Sequence, residues 1–509
     1  MEEIRGRSLM RDIVKVQLAG HSNVRIDSDD GIAWGLREEY AFFVPGYKFM
    51  PKFRNGMWDG KIRLFDYNKR TLPAGLWPRF EEHCKKYDIE IQYEDSHFGN
   101  PGAKNEVDPN EVMAFIKGLN LSSRGKPIEV RDYQFNAICR SIQEKRLLLL
   151  SPTGSGKSLI IYVLMRWWQS QREDKTLVIV PTTSLVEQMY ADFEDYSSND
   201  NNWNAKNELH KIYSGQEKTN VHEHVFISTW QSIYKLPRTW FEQFGVIFGD
   251  EAHLFTSQSL TKSMDKATNA EYRVGTTGTL DGTKTHQLVL EGVFGHVVRV
   301  TTTKKLQDND TLAKLDIKVL NIVYPDDVRE SFGRVTYQQE VDWLVRNETR
   351  NRFIRNLACE LDGNTLVLFQ FVDKHGKVLY DMIREKSKHR VFFVAGEVDK
   401  ADREAIRHIV ETQQKSTIVA SLGTFSTGVN IRNLHNLILP TPSKSQVKVL
   451  QSIGRSLRKS DNGQASTMYD FIDDLSSGKR KNYALKHGEE RLKIYKSEQF
   501  NVTQHKVKL

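Results

Sequence analysis

Between residues 147 and 250, short wholly apolar runs at 147–150, 177–180, 225–227 and 246–248 alternate with segments long enough for helices. A run without polar alternation suits a strand buried on both faces of a parallel sheet. The pattern returns at 365–369, 391–394, 417–420, 437–439 and 467–471, so two α/β domains in tandem are predicted. The first 95 residues differ: they are rich in aromatics, with a helix predicted over 78–86 and a strand over 89–93, which suggests a small α+β module. Phe98-Gly99-Asn100-Pro101-Gly102 reads as a linker. The predicted organisation is an α+β domain at 1–95, a linker at 96–106, α/β domains at 107–305 and 306–475, and a basic extension at 476–509, read as a helical or partly disordered tail.

At 509 residues and 39% hydrophobic content the chain can bury two or three cores. No run approaches the ~18 apolar residues of a membrane span, and the opening Met1-Glu2-Glu3-Ile4-Arg5-Gly6-Arg7 lacks a secretory apolar stretch, so a cytoplasm-like compartment is expected. Cys84, Cys139 and Cys359 are far apart and form no C-x-x-C pair, which points to neither a disulfide framework nor a zinc site. The net charge of +8 is unevenly placed. Residues 48–70 carry seven Lys/Arg against two Asp, and residues 479–509 nine Lys/Arg against three Glu, so the rest of the chain is near neutral. Localised positive charge favours a polyanionic partner, although solvated surface charge is an adequate alternative.

The 147–150 run leads through Ser151-Pro152-Thr153-Gly154-Ser155-Gly156-Lys157-Ser158 into an apolar helix pattern. Gly154 and Gly156 let the backbone curl until its N–H groups face inward, and the helix N-terminus adds positive potential for phosphate oxygens. Lys157 supplies a point charge to the β and γ phosphates, and Ser158 a hydroxyl for Mg²⁺. Ser151 stands where the phosphate-loop pattern has Gly. The bland alternative is a Gly/Ser-rich turn. Downstream, the 246–248 run ends in Gly249-Asp250-Glu251-Ala252-His253, which puts carboxylates at the C-terminal end of a buried strand, where parallel α/β sheets present ligands. Asp250 is expected to hold Mg²⁺ and Glu251 to accept a proton from the water that attacks the γ phosphate.

Together these motifs resemble those of superfamily two helicases with a DEAH box. The resemblance implies two tandem RecA-like parallel-sheet motor domains, in an α/β class fold, with ATP held between them. In Arg131-Asp132-Tyr133-Gln134, Gln134 would read the adenine edge with Arg131 packed near it. Thr182 and Thr183, in the segment beginning Pro181, and Thr229 and Gln231 resemble elements that contact a nucleic-acid backbone. Ser184 and Glu187 also fit a capping box, so a plain helix start is open there. Gly275-Thr276-Thr277-Gly278-Thr279 resembles the linkage between ATP state and strand binding, with a different spelling. In the second domain, Thr424, Gly428 and Asn430 resemble an element that touches nucleic acid and ATP, and Gln451, Arg455 and Arg458 the arginine-finger motif. On a helix those last three share a face.

In the N-terminal module, Lys52, Arg54, Lys61 and Arg63 are interleaved with aromatics and are expected to touch DNA phosphates, although aromatics in such a module more often build its core. The stretches Leu18-Ala19-Gly20-His21-Ser22-Asn23 and Trp58-Asp59-Gly60-Lys61 resemble phage recombination and repair DNA helicases. That resemblance implies remodelling of branched DNA: junction branch migration, regression of stalled forks, and unwinding of RNA-DNA hybrids at R-loops. The sequence does not give the oligomeric state, with a monomer favoured, and the cytoplasm expected is that of the host if the chain is of phage origin. An RNA helicase, a strand-annealing protein with a weak motor and a restriction-complex motor subunit are the alternatives.

Overall fold

The computed structural model describes residues 12–509 except 153, 214, 220–221, 279, 281–283, 310–314, 334, 397–405, 407–408, 411, 423–433, 442–465, 479 and 498. The chain forms two compact units, Met1–Ser151 with Gly156–Val300, and Pro152–Ser155 with Thr301–Leu509.

In the first unit, strands β1 (Ile13–Ala19), β2 (Asn23–Asp27), β5 (Thr71–Pro73) and β6 (Glu90–Tyr93) form a mixed sheet in the order β5-β2-β1-β6. A small antiparallel pair, β3 (Ala41–Phe43) with β4 (Lys61–Arg63), is inserted between β2 and β5. Val14, Val16, Val24 and Ile26 alternate with less buried positions, so one face of the sheet is apolar. It packs with the helices Asp30–Glu39 and Trp77–Lys86 through Ala33, Leu36, Trp77, Phe80 and Cys84. Asp29 caps the first of these helices by accepting the Ile32 N–H at 2.8 Å. Burial pushes the Cys84 thiol up to about 12, consistent with an inert core residue.

The turn between β1 and β2 joins this domain to the motor domain that follows. The His21 N–H donates to the Thr268 carbonyl at 2.7 Å, and the Arg146 guanidinium donates to the His21 carbonyl. Arg273, 2% exposed, donates to the Ser22 hydroxyl at 2.7 Å and to the Ala267 carbonyl at 2.6 Å. Gly75 lies so close to the helix Lys284–Phe294 that a Cβ there would fall 2.0 Å from the Glu291 carbonyl oxygen. The 18–23 stretch is therefore a docking element.

Burial, with the Arg146 and Arg273 guanidinium groups and Lys145 against it and Glu271 in its favour, lowers the His21 pKa from 6.5 to about 4. A lowered pKa means that the folded state favours neutral imidazole, so the contribution is complete above pH 6.5 and is lost as pH falls towards 4. His21→Gln should flatten the decline of Tm across that window relative to the parent chain. Identical slopes in paired thermal melts would exclude His21 as the titrating group.

A two-residue pair, β7 (Ser122–Ser123) and β8 (Lys126–Pro127), precedes the first motor sheet. That sheet comprises β9 (Arg146–Leu150), β10 (Lys175–Val180), β11 (Leu209–Ile212), β12 (Val225–Thr229), β13 (Phe244–Asp250), β14 (Tyr272–Thr277) and β15 (Val297–Arg299). It is parallel throughout, in the order β11-β12-β10-β13-β14-β9-β15. Every residue of β12, β13 and β14 is buried, as expected where helices cover both faces. The apolar runs mark four of the seven strands. β14 escapes that pattern because Arg273, Thr276 and Thr277 are polar, yet all three are buried.

The second unit repeats the plan with β16 (Leu315–Val323), β17 (Thr365–Phe369), β18 (Val391–Val394), β19 (Thr417–Ser421), β20 (Asn436–Leu439), β21 (Ser466–Asp474) and β22 (Asn501–Lys508). Its parallel order is β18-β19-β17-β20-β21-β16-β22. Both sheets are RecA-like.

The helix expected after Gly478 is present, but the segment is part of the second sheet and not a separate tail. Helix Tyr483–Ser497 is followed by β22, which pairs with β16 from Asp316–Asn501 to Val323–Lys508 and so belongs to the second sheet. An edge strand is held through its main chain with side chains largely in water, so a polar, basic sequence can occupy it. Arg491 is withdrawn from the surface charge: it is 2% exposed and donates to Asp470 at 2.9 Å.

Candidate nucleotide and nucleic-acid sites

The phosphate loop follows β9, Asp250 ends β13, and Thr276 and Thr277 end β14, the strand between those two. Parallel pairing thus brings residues distant in sequence to one end of one sheet. Gly154 and Gly156 take φ of +83° and +80°, the left-handed conformation the loop requires. Ser151 has no such φ, which is why serine is accommodated at the first position; it is fully buried, and its N–H donates to the Thr277 carbonyl at 2.8 Å.

The Lys157 Nζ lies 3.9 Å from Glu251 Oε1, and His253 Nδ1 lies 3.3 Å from Glu251 Oε2. The same Nδ1 is 3.1 Å from the Thr277 hydroxyl. Glu251 has φ +49°, unusual for a residue with a Cβ, and so its carboxylate is aimed by a sharp turn off β13. Asp250 accepts the Thr276 hydroxyl at 2.8 Å. Burial, then the neighbouring Glu251 charge, raises the Asp250 pKa, while Lys157 opposes the rise. The Ser158 hydroxyl is 2.9 Å from the Tyr196 hydroxyl, and burial pushes the Tyr196 phenol up to about 12.

Tyr196, Thr276, Thr277 and His253 are partners to which sequence reasoning assigned no role. The threonines lie in the Gly275–Thr279 element and His253 in the DEAH box, so both segments were visible without individual roles. For Tyr196 the sequence carries no signal.

Gln134 is buried, and its Oε1 accepts the Arg131 N–H at 2.9 Å. A Cβ on Gly156 would fall 2.3 Å from Gln134 Nε2, so the Arg131–Gln134 segment and the glycine loop are in contact. Thr182 caps the helix Thr183–Tyr196 by accepting the Leu185 N–H at 3.4 Å. The Ser184/Glu187 capping box is therefore not formed: Glu187 instead accepts from Lys211 and from the Tyr213 hydroxyl, each at 2.8 Å. Thr183 and Gln231 are exposed at carboxyl ends of neighbouring strands, whereas Thr229 is buried and paired with the Ser232 hydroxyl at 2.9 Å.

The four N-terminal cations separate into two classes. Lys61 donates to Glu38 at 2.7 Å and Arg63 to Asp59 at 2.6 Å, and the Arg63 bond holds the Asp59 carboxyl down at about 2. Lys52 and Arg54 are exposed and have no carboxylate partner among the described residues. Thr153, Thr424, Gly428, Asn430, Gln451, Arg455 and Arg458 lie outside the described residues. Among the described residues, no helix is long and apolar enough to cross a membrane.

Residues 12–94 match the family described as DNA helicase UvsW, N-terminal; residues 127–282 match the type III restriction enzyme res subunit; and residues 349–460 match the helicase conserved C-terminal domain. The chain is 35% identical over 512 residues to the ATP-dependent DNA helicase uvsW of Enterobacteria phage T4, covering 97% of this chain and 100% of that relative. The crystal structure of T4 UvsW is similar, with a TM-score of 0.52 and 34% identity over 97% of this chain and 99% of that one. The DNA-bound type ISP restriction-modification enzyme LlaBIII, at TM-score 0.55 and 15% identity over 75% of this chain and 32% of its own, shares the fold. Over its whole length, therefore, the chain belongs to the UvsW family of superfamily two helicases.

Proposed function

We propose that this chain is an ATP-driven DNA helicase that remodels branched DNA by branch migration, fork regression and unwinding of RNA-DNA hybrids, as a monomer in the host cytoplasm. The observation that carries the reading is the meeting of Lys157 with Glu251, beside Asp250, at one end of a single parallel sheet, in a chain similar over 97% of its length to a DNA helicase.

The inward backbone around Gly154, Ser155 and Gly156 and the Lys157 charge bind the ATP phosphates. Thr153 belongs to the same loop. Glu251 accepts the proton of the attacking water, with His253, itself bonded to Thr277, positioning its second carboxylate oxygen. Arg131 and Gln134 bind the base, and Gly428, Asn430, Gln451, Arg455 and Arg458 contribute from the second motor domain, the arginines by stabilising charge on the transferring phosphoryl group.

The donor set suits Mg²⁺. Asp250 and Ser158 offer hard oxygen ligands, and the raised pKa of a buried Asp250 beside Glu251 is the condition that a divalent cation reverses. Mg²⁺ would be held there and would supply Lewis-acid charge to the β and γ phosphates. Ser158 would then exchange its bond to Tyr196.

DNA is contacted by Thr182, Thr183, Thr229, Gln231 and Thr424 along the motor, and by the N-terminal cations, with Lys52 and Arg54 ahead of the internally paired Lys61 and Arg63. The test compares ATPase and unwinding on single strand, blunt duplex, fork, four-way junction and duplex RNA. Highest activity on fork and junction is expected, and equal activity on all defeats the branched-DNA reading. Lys52→Ala with Arg54→Ala should weaken binding to every DNA several-fold and reduce the salt slope by about two phosphate equivalents. An unchanged slope would remove both residues from the interface.

A further inference from the structure

The insertion that carries β3 and β4 exposes apolar side chains that its own core does not use. Phe49 is 76% and Met57 79% exposed, and Phe43, Met50 and Ile62 are partly bare beside them in the sequence. Single exposed apolar residues are ordinary, but two large ones this bare on one short insertion are not.

The insertion itself is braced. Phe43 stacks on Tyr47 at 4.6 Å, and Tyr47 meets the Phe53 ring edge-on at 4.7 Å. Gly60, at φ +82°, lies against the Tyr47 ring, where a Cβ would fall 2.3 Å away. The Trp58 indole donates to the Lys61 carbonyl at 2.8 Å, and the Met57 N–H donates to the Lys52 carbonyl at 3.0 Å. The Trp58–Lys61 stretch is thus a clasp that holds the tip in shape.

Charge indicates what the tip meets. Residues 44–58 contain no Asp or Glu, and Lys48, Lys52 and Arg54 have no carboxylate partner among the described residues. The nearby Asp59 is already bonded to Arg63. An apolar tip flanked by unneutralised cations matches a polyanion that also exposes apolar faces. Duplex DNA shows such faces only where bases unstack.

We infer that Phe49 and Met57 form a wedge that inserts against the exposed base step at a DNA branch point, with Lys48, Lys52 and Arg54 on the flanking phosphates. The inference rests on the DNA-helicase reading and adds to it a residue-level cause for branch preference. Removing a side chain that packs on an unstacked base is expected to cost about ten-fold in rate where the wedge is used, a change of about 1.4 kcal/mol.

The test uses the full chain with Phe49→Ala and Met57→Ala together, surface changes whose effect on folding is checked by an unaltered Tm. ATPase stimulated by single-stranded DNA should stay within about two-fold, while fork and junction unwinding falls about ten-fold. The fluorescence rise of 2-aminopurine placed at the branch point, seen with the parent chain without ATP, should disappear. Phe49→Trp should retain both signals. Wild-type fork unwinding by the double variant, or an equal loss on single strand and fork, would overturn the wedge. Absence of DNA-stimulated ATPase in the parent chain would instead defeat the helicase reading beneath it.

Discussion

Glu251→Gln is expected to lower ATP turnover by about 10²- to 10⁴-fold while ATP binding changes little, because glutamine keeps the shape of the side chain and one acceptor oxygen but cannot take a proton. The left-handed backbone at Glu251 points its carboxylate at Lys157 on one side and His253 on the other. The amide should fill that position without disturbing the phosphate loop. Steady-state phosphate release and equilibrium nucleotide binding, measured on the same preparation, separate the two effects. Lys157→Ala supplies the contrast: it should lose binding and turnover together, since in the proposed site its charge would face the phosphates in both ground and transition states. Near-normal turnover of Glu251→Gln would remove this residue from the chemistry.

Arg350→Met should destabilise the second motor domain by about 3–5 kcal/mol. Arg350 and Asp473 are both fully buried, and Arg350 donates to the two carboxylate oxygens at 2.7 and 2.9 Å. Tyr324 adds a third bond to Asp473 at 2.8 Å. Removing the guanidinium alone leaves a buried carboxylate without its counter-charge, whereas Arg350→Met with Asp473→Leu removes both charges and should recover most of the loss. Urea denaturation of the three chains reads this directly. A double variant no more stable than Arg350→Met would show that packing, not charge, accounts for the loss.

The strands most legible in the sequence are those buried on both faces, since a short continuous apolar run between turn residues is stable in water only when both its faces are covered. β14 and β22 escape that pattern for opposite reasons. β14 is buried but polar because Arg273, Thr276 and Thr277 find carbonyl, hydroxyl, carboxylate and imidazole partners from other segments. β22 is polar because it is an edge. The phosphate loop is legible despite Ser151, since strand, glycines, Lys157 and helix follow one another in the chain.

By itself the sequence determined what is local: the alternation of apolar runs that makes two parallel sheets, the glycines that curl the phosphate loop, and the carboxylates at the end of a buried strand. Only the tertiary structure decided the pairings across distance: Tyr196 on Ser158, Thr277 on His253, and Ser22 on Arg273. It also decided which N-terminal cations are spent on Glu38 and Asp59 and which remain for a partner. The reason is physical. Periodicity and turn chemistry depend on neighbours in the chain, whereas the state of a charged or polar group depends on what folding places within about 3 Å of it, and strand order sets that.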